Sequence, residues 1–245
     1  MESEISSLAQ HETWNLKDLP RDKKAIGCKW VFRIKRHPNG DIDKFKARLV
    51  AKGFTQRAGV DYFETFAPVA RKESINVAFS IAAEKNLVIE NADVDTVFIY
   101  GEVKEEFYMD QPDGFVDEQQ CNKKCLLRKA LYGTKQAARE WNNRVNEHLE
   151  GQGFMWSVAN PCVYVRRSDF EFSIVIIHVN DLMLFARTQE HIDAIKRTLK
   201  SEFSIKKLGK LKYCIGIEVH RDRTKRTIRM NQCLRQASGG EVWRG

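Results

Sequence analysis

Residues 172–186 read FSIVIIHVNDLMLFA, two water-avoiding runs held apart by His178, Val179, Asn180 and Asp181. Short apolar runs of this kind, rich in β-branched and aromatic side chains, favour buried strands over helix. A polar tip between two such strands suits a solvated turn, and it equally suits a cation that needs oxygen ligands. Both readings stand at this point. Either one commits the stretch to a sheet, and the rest of the chain has to supply its neighbours.

Candidates for those neighbours are present. LVIENADVDTVFIYG, residues 87–101, predicts a strand that carries Asp93 and Asp95 at or near its end. Residues 23–54 alternate apolar and polar side chains about Pro38, Asn39 and Gly40. That alternation predicts a hairpin with Trp30, Phe32 and Ile34 on one face and an Asn-Gly turn that tolerates positive φ. A short amphipathic helix is expected over residues 3–16, leading to Trp14. Helical spacing recurs at Arg71–Asn86 (Ile75, Ala78, Phe79, Ala82), Ala130–Leu149 (Ala138, Trp141, Val145, Leu149) and Gln189–Phe203 (Ile192, Ile195, Leu199). Ala159–Ala186 reads as two strands joined through RRSDFE, and residues 210–230 as a late hairpin with a charged turn. The order describes an α+β protein with acids at strand ends.

Composition narrows the partners. A net charge of +8 and a pI near 9.2 favour polyanions, although a solvated basic surface produces the same balance. Six cysteines at 28, 121, 125, 162, 214 and 233 show no paired metal-knuckle spacing. Reduced thiols, the lack of an apolar signal-peptide core and the lack of a bilayer-length apolar run lead to one expectation: an intracellular protein, cytoplasmic or nuclear, with no membrane partner.

If the strands of Asp93 and Asp181 are neighbours, their carboxylates converge. Hard oxygens so placed suit Mg²⁺, which accepts one or two carboxylates and completes its shell with water or phosphate. Two such ions roughly 3.5–4 Å apart activate an attacking hydroxyl and stabilise a leaving oxygen in phosphoryl transfer. Two solvated loop acids are the alternative, and spacing does not choose between them.

Five blocks in a fixed order bear on that choice. KWVFRIKRHPNGDIDKFKARLVAKGFTQRAGVDYFETFAPVA, QPDGF, LYGTKQAAREW, the 172–186 stretch and LGKLKYCIGIEV resemble the reverse transcriptase of copia-type LTR retrotransposons, from about Trp14 to Met230. The resemblance implies a right-hand polymerase with fingers and a ferredoxin-like palm, here with the thumb absent. It further implies two Mg²⁺ ions, deoxynucleoside triphosphates, and an RNA or DNA template with its primer. It divides the chain into a lead-in helix at 1–13, a fingers and palm domain at 14–232 and an unrelated tail at 233–245.

Residue by residue, the resemblance implies that Asp93 and Asp181 bind metal and that Asp93, Asn180 and Asp181 form the catalytic set. Val94 lies by its backbone near the incoming nucleotide. Phe98 matches the aromatic that blocks a ribose 2′-hydroxyl, although a core aromatic looks the same in sequence. Lys46 and Arg48 grip triphosphate oxygens, or else merely line an exposed strand face. Gln136 is expected at the nucleotide, and Arg139, Tyr213 and Gly216 at primer and template.

The 172–186 block also departs from the family. The resemblance puts Tyr-Val-Asp-Asp where this chain has His178-Val179-Asn180-Asp181. Asn180 keeps the shape of an aspartate but brings no charge and a weaker ligand oxygen. Val97, Thr134 and Ala138 are milder departures. The expectation is a polymerase impaired in catalysis; the alternative is a nucleic-acid-binding remnant of a decayed transposon that no longer catalyses.

Overall fold

Strand pairing decides how this chain divides. The computed structural model describes residues 1–36, 41–215 and 217–232. The turn expected at Pro38, Asn39 and Gly40, together with Gly216 and the tail 233–245, lies outside them. Two compact units of mixed α/β structure result, Met1–Val69 with Asp95–Gln152 and Ala70–Val94 with Gly153–Gly245.

In chain order the elements are α1 (Glu2–Gln10), β1 (Trp14–Lys17), β2 (Cys28–Arg36), β3 (Ile42–Ala51), α2 (Lys72–Glu84) and β4 (Val88–Val94). There follow β5 (Tyr108–Met109), β6 (Lys124–Leu127), α3 (Ala137–Gly151), β7 (Met155–Ser157), β8 (Asn160–Arg167) and β9 (Phe172–His178). The last six are β10 (Asp181–Ala186), α4 (Gln189–Glu202), β11 (Ile205–Lys210), β12 (Tyr213–Cys214), β13 (Ile217–Asp222) and β14 (Thr227–Gln232).

The first unit combines the sheet β1-β6-β5 with the ribbon β2-β3. Its core gathers Leu8, Leu49, Phe107, Met109, Leu127 and Leu131. Ribbon pairs Trp30↔Leu49, Phe32↔Ala47 and Ile34↔Phe45 share one face, as the alternation requires. Arg33↔Lys46 and Val31↔Arg48 fall on the other. Leu49 is fully buried, whereas Phe32 and Phe45 are 67% and 75% exposed, so the ribbon projects out of its own core.

The second predicted helix starts at Ala137 rather than Ala130, and its inner face begins at Ala137 instead of Ala138. Backbone geometry gives the reason. Gly133 has φ +91, and a Cβ there would lie 2.1 Å from the Ala51 carbonyl oxygen. The Ala51 N–H donates to the Tyr132 carbonyl at 2.7 Å, and the Thr134 hydroxyl donates to the Leu131 carbonyl at 2.9 Å. Residues 130–136 are therefore spent on a turn that receives the end of β3.

In the second unit six strands form one sheet in the order β11-β4-β10-β9-β8-β7. Ala159–Ala186 supplies three of them instead of the expected two, because the polar tip at Val179 and Asn180 is itself a tight turn between β9 and β10. Strand periodicity sends Ile89, Ile174, Ile176, Met183 and Phe185 to the face covered by α2, where the Phe79 and Phe185 rings stand 5.7 Å apart. The predicted stripe Ile75, Ala78, Phe79, Ala82 is buried there. On α4 the stripe Ile192, Ile195, Leu199 is buried too.

α4 also buries a charge. Lys196 is 5% exposed and pairs with Glu90 of β4, which is 6% exposed and also accepts from the Gln189 amide at 3.1 Å. Neither residue stood out in the sequence, because Lys196 falls within an otherwise ordinary amphipathic helix. Among the described residues no helix is long and apolar enough to cross a membrane. Among the described residues five cysteines are free, and burial pushes the Cys125 and Cys214 thiols up to about 12, out of reach of easy ionisation.

Removing one partner of a buried pair strands the other charge. Lys196→Ala is expected to destabilise the protein by about 3–5 kcal/mol, whereas the double change Lys196→Met with Glu90→Leu is expected to be neutral or stabilising. Urea denaturation of the two variants against the parent checks this.

Candidate active site

Antiparallel pairing places Asp181, the first residue of β10, directly opposite Asp93, the penultimate residue of β4. Directly opposed residues have Cβ atoms about 4.5–5.5 Å apart and project to the same face. The two acids, 88 positions apart in sequence, are thus immediate neighbours. On the far side of Asp181, β9 places His178 opposite it, and on the far side of Asp93, β11 places Lys206. Asp95 follows the end of β4 and belongs to the first unit.

The turn between β9 and β10 is Val179-Asn180. Val179 has φ +57, a left-handed conformation that a β-branched residue adopts only at a cost of about 1–3 kcal/mol. Asn180 ties that turn to β4 twice. Its carbonyl accepts from the Val94 N–H at 2.9 Å, and its Nδ2 donates to Asp93 Oδ1. An aspartate at this position would make the first bond but not the second.

Asp181 has no such donor. Its carboxyl is held above the usual carboxylate range, first by lost hydration and then by the charge of Asp93, against a smaller lowering from His178. Two carboxylates side by side are a place where added positive charge is favourable. Among the described residues, however, no three His, Cys, Asp or Glu side chains are gathered into a ready-made cation cage.

Tyr213 also lies in this unit. It pairs across the small sheet with Glu218, to which its hydroxyl donates at 3.2 Å, and it is 59% exposed. Beside it Cys214 Sγ sits 3.0 Å from Met183 Sδ, which brings β12 onto the face that carries the acids.

The remaining expected residues belong to the first unit. Arg48 holds its guanidinium 4.9 Å from the centre of the Tyr132 ring, and Tyr132 meets Phe98 edge-on at 4.7 Å. Tyr132 was not singled out in the sequence, although it stands in the LYGTKQ block. Lys46 is half-buried on β3 opposite Arg33. Gln136 is fully buried, accepting from the Gln56 amide at 3.1 Å and donating to the Asp61 carbonyl at 3.2 Å. Arg139 forms an ion pair with Glu64.

Comparison with known proteins places the chain in a family. A family model described as reverse transcriptase (RNA-dependent DNA polymerase) matches residues 11–237. The retrovirus-related Pol polyprotein from transposon TNT 1-94 of Nicotiana tabacum is 36% identical over 95% of this chain. That from transposon RE1 of Arabidopsis thaliana is 36% identical over 90% of it. The chain spans only 18% and 15% of those two relatives. Among solved structures, an apo telomerase from Candida tropicalis truncated from its C-terminal domain covers 94% of this chain and 59% of its own, at 8% identity and a TM-score of 0.40.

The raised Asp181 pKa has a signed consequence. The folded state binds the proton more tightly than the unfolded one, so this group's contribution to stability is full below the unfolded pKa and is lost as pH rises through the folded value. Asp181→Asn is therefore expected to make the protein slightly more resistant to urea at pH 7, with the gain vanishing toward pH 3. Paired denaturation curves at the two pH values check it, and a gain that grows on acidification contradicts it.

Proposed function

The chain belongs to the reverse transcriptase (RNA-dependent DNA polymerase) family, and we propose that it is the polymerase segment of a retrotransposon Pol polyprotein whose nucleotidyl transfer is impaired at Asn180. The observation that carries the reading is the register pair Asp93↔Asp181 with the Asn180 amide hydrogen-bonded to Asp93. In this reading residues 14–232 are the polymerase part, with the six-stranded sheet as a ferredoxin-like palm and the β2-β3 ribbon as fingers. Template, primer and deoxynucleoside triphosphates are its substrates.

Asp93 and Asp181 fit one divalent cation: both are hard anionic donors at directly opposed register positions. The third place does not fit a second ion, since the group beside Asp93 is an amide that turns an N–H toward its oxygen. Bound there, Mg²⁺ would supply positive charge to the triphosphate and favour ionisation of the primer 3′-hydroxyl. The chain's own groups do the rest. Asp181 and Asp93 concentrate negative charge on one edge of the sheet, and the Val94–Asn180 backbone bond fixes how that edge faces.

Lys46 and Arg48 are the cations for triphosphate oxygens, with Arg48 pre-oriented by the Tyr132 ring. Phe98, braced edge-on by Tyr132, is the candidate barrier to a ribose 2′-hydroxyl. Gln136 acts from inside, shaping the turn ahead of α3 through Gln56 and Asp61. Arg139 and Tyr213 remain candidates for primer and template contact, each with a carboxylate partner in Glu64 and Glu218.

Primer extension with the parent and Asn180→Asp separates the possibilities. The parent is expected to extend at least about 10²–10³-fold more slowly, since loss of one comparable electrostatic contact costs that much. Equal, robust extension by both chains would sink the proposal. Salt-dependent binding of a primer–template duplex by both, with no incorporation by either, would favour a non-catalytic nucleic-acid-binding role instead.

A further inference from the structure

The outer edge of β3 carries an acid. In the register that pairs Cys28 with Ala51, the Lys52 N–H donates to the Gly27 carbonyl at 2.8 Å, so even-numbered residues of this strand bond inward to β2. The odd-numbered N–H groups therefore point out of the ribbon, an edge that is otherwise open to water or to another strand. At the base of the ribbon two of them are taken. Ala51 donates to the Tyr132 carbonyl at 2.7 Å, and Leu49 donates to Glu4 Oε1 at 3.4 Å. Glu4 is held there by the rest of α1. Leu8, one turn further along the same face, is fully buried, and Ile5 packs against the same core. The Leu8 carbonyl accepts from both the Thr13 N–H, at 3.0 Å, and the Thr13 hydroxyl, at 2.7 Å.

Glu4 is half-buried and stands one residue along the strand from Arg48. Burial raises its carboxyl above the usual carboxylate range, against lowering by the Leu49 N–H and then by the charges of Lys46, Arg48 and the Met1 amino group. We infer that Glu4 is a built-in counter-anion to Lys46 and Arg48, an electrostatic brake that disfavours free polyphosphate at this corner of the β2-β3 ribbon. It acts through charge, because Arg48 is directed over the Tyr132 ring and keeps that orientation whatever the charge on residue 4. A divalent cation on the phosphates cancels part of the repulsion, so the brake weighs most on the metal-free anion. This inference rests on the polymerase reading for the assignment of the two cations to triphosphate oxygens.

Calorimetric titration of the whole chain with inorganic tripolyphosphate, in chelator and low salt, tests it. Glu4→Gln keeps an acceptor for the Leu49 N–H and removes only the charge. It is expected to bind about three- to tenfold more tightly than the parent, the scale of one unit charge several ångströms from a polyanion, with the gain shrinking as salt is added. Glu4→Ala, which also gives up the edge bond, is expected to show a similar gain, and both are checked for folding by circular dichroism. On an Arg48→Met background the gain from Glu4→Gln is expected to fall. Four results would overturn the inference: no binding by parent or variants, equal or weaker binding by Glu4→Gln, a gain confined to Glu4→Ala, or a gain insensitive to salt. Primer extension by Asn180→Asp reports separately. Its failure beside an intact Glu4→Gln gain would remove the polymerase reading and leave a braked anion site, whereas extension without the gain would remove the brake alone.

Discussion

Six cross-strand pairs, from Asp181↔Asp93 to Ala186↔Val88, hold β10 against β4, and the position of every acid in the site follows from that register. A slip of one residue would turn Asp181 to the opposite face. β10 cannot resist such a slip by hydrophobic alternation, because Leu182 to Ala186 are all buried and both faces of the strand are covered. The resistance comes from polar groups at the two ends. Glu90 must meet Lys196, which fixes the way β4 faces, since inverting β4 would drive that carboxylate among Phe79 and Phe185. Asn180 then pins the turn to the end of β4 through Val94 and Asp93.

The same Asn180 side chain changes what the site demands of its surroundings. A carboxylate in its place would set a third negative charge beside two that already repel, and only a bound cation would offset it. The amide supplies an N–H to Asp93 and removes that demand. Strain at Val179 belongs to the same device, because the left-handed residue lets the turn close tightly enough for Asn180 to reach β4.

Much of this was legible in the sequence where one period or one motif governed the outcome. The helices at 72–84 and 189–202 follow from their apolar stripes, and the β2-β3 ribbon follows from alternation. The neighbourhood of Asp93 and Asp181 depends on strand adjacency, which the register supplies. The start of α3 is not legible locally, because Gly133 closes against the Ala51 carbonyl, a contact between residues 82 positions apart that no local window holds. The polar tip at 178–181 is visible in the sequence, yet the three strands from 159 read there as two, since a two-residue turn leaves little trace between apolar runs. His178 was noted only as a replaced tyrosine; its place beside Asp181 emerges once residues are counted outward from the turn.

The blocks that carry the family resemblance do two physically different jobs. Within LYGTKQ, Gly133, Thr134 and Gln136 are used up inside the first unit, on a positive φ, a hydroxyl bond and a buried amide pair. In the same block the half-buried Tyr132 meets Arg48 and Phe98, and Lys135 is exposed. In the 172–186 stretch the division is sharper still. Phe185, Met183 and Ile176 build the core, while His178, Asn180 and Asp181 cluster where the core ends. Residue 180 contributes a backbone carbonyl to Val94, which any side chain leaves in place, and an amide N–H to Asp93, which a carboxylate lacks. The sheet itself thus rests on main-chain pairing and apolar packing, and the amide adds a bond between the turn and β4 on top of them.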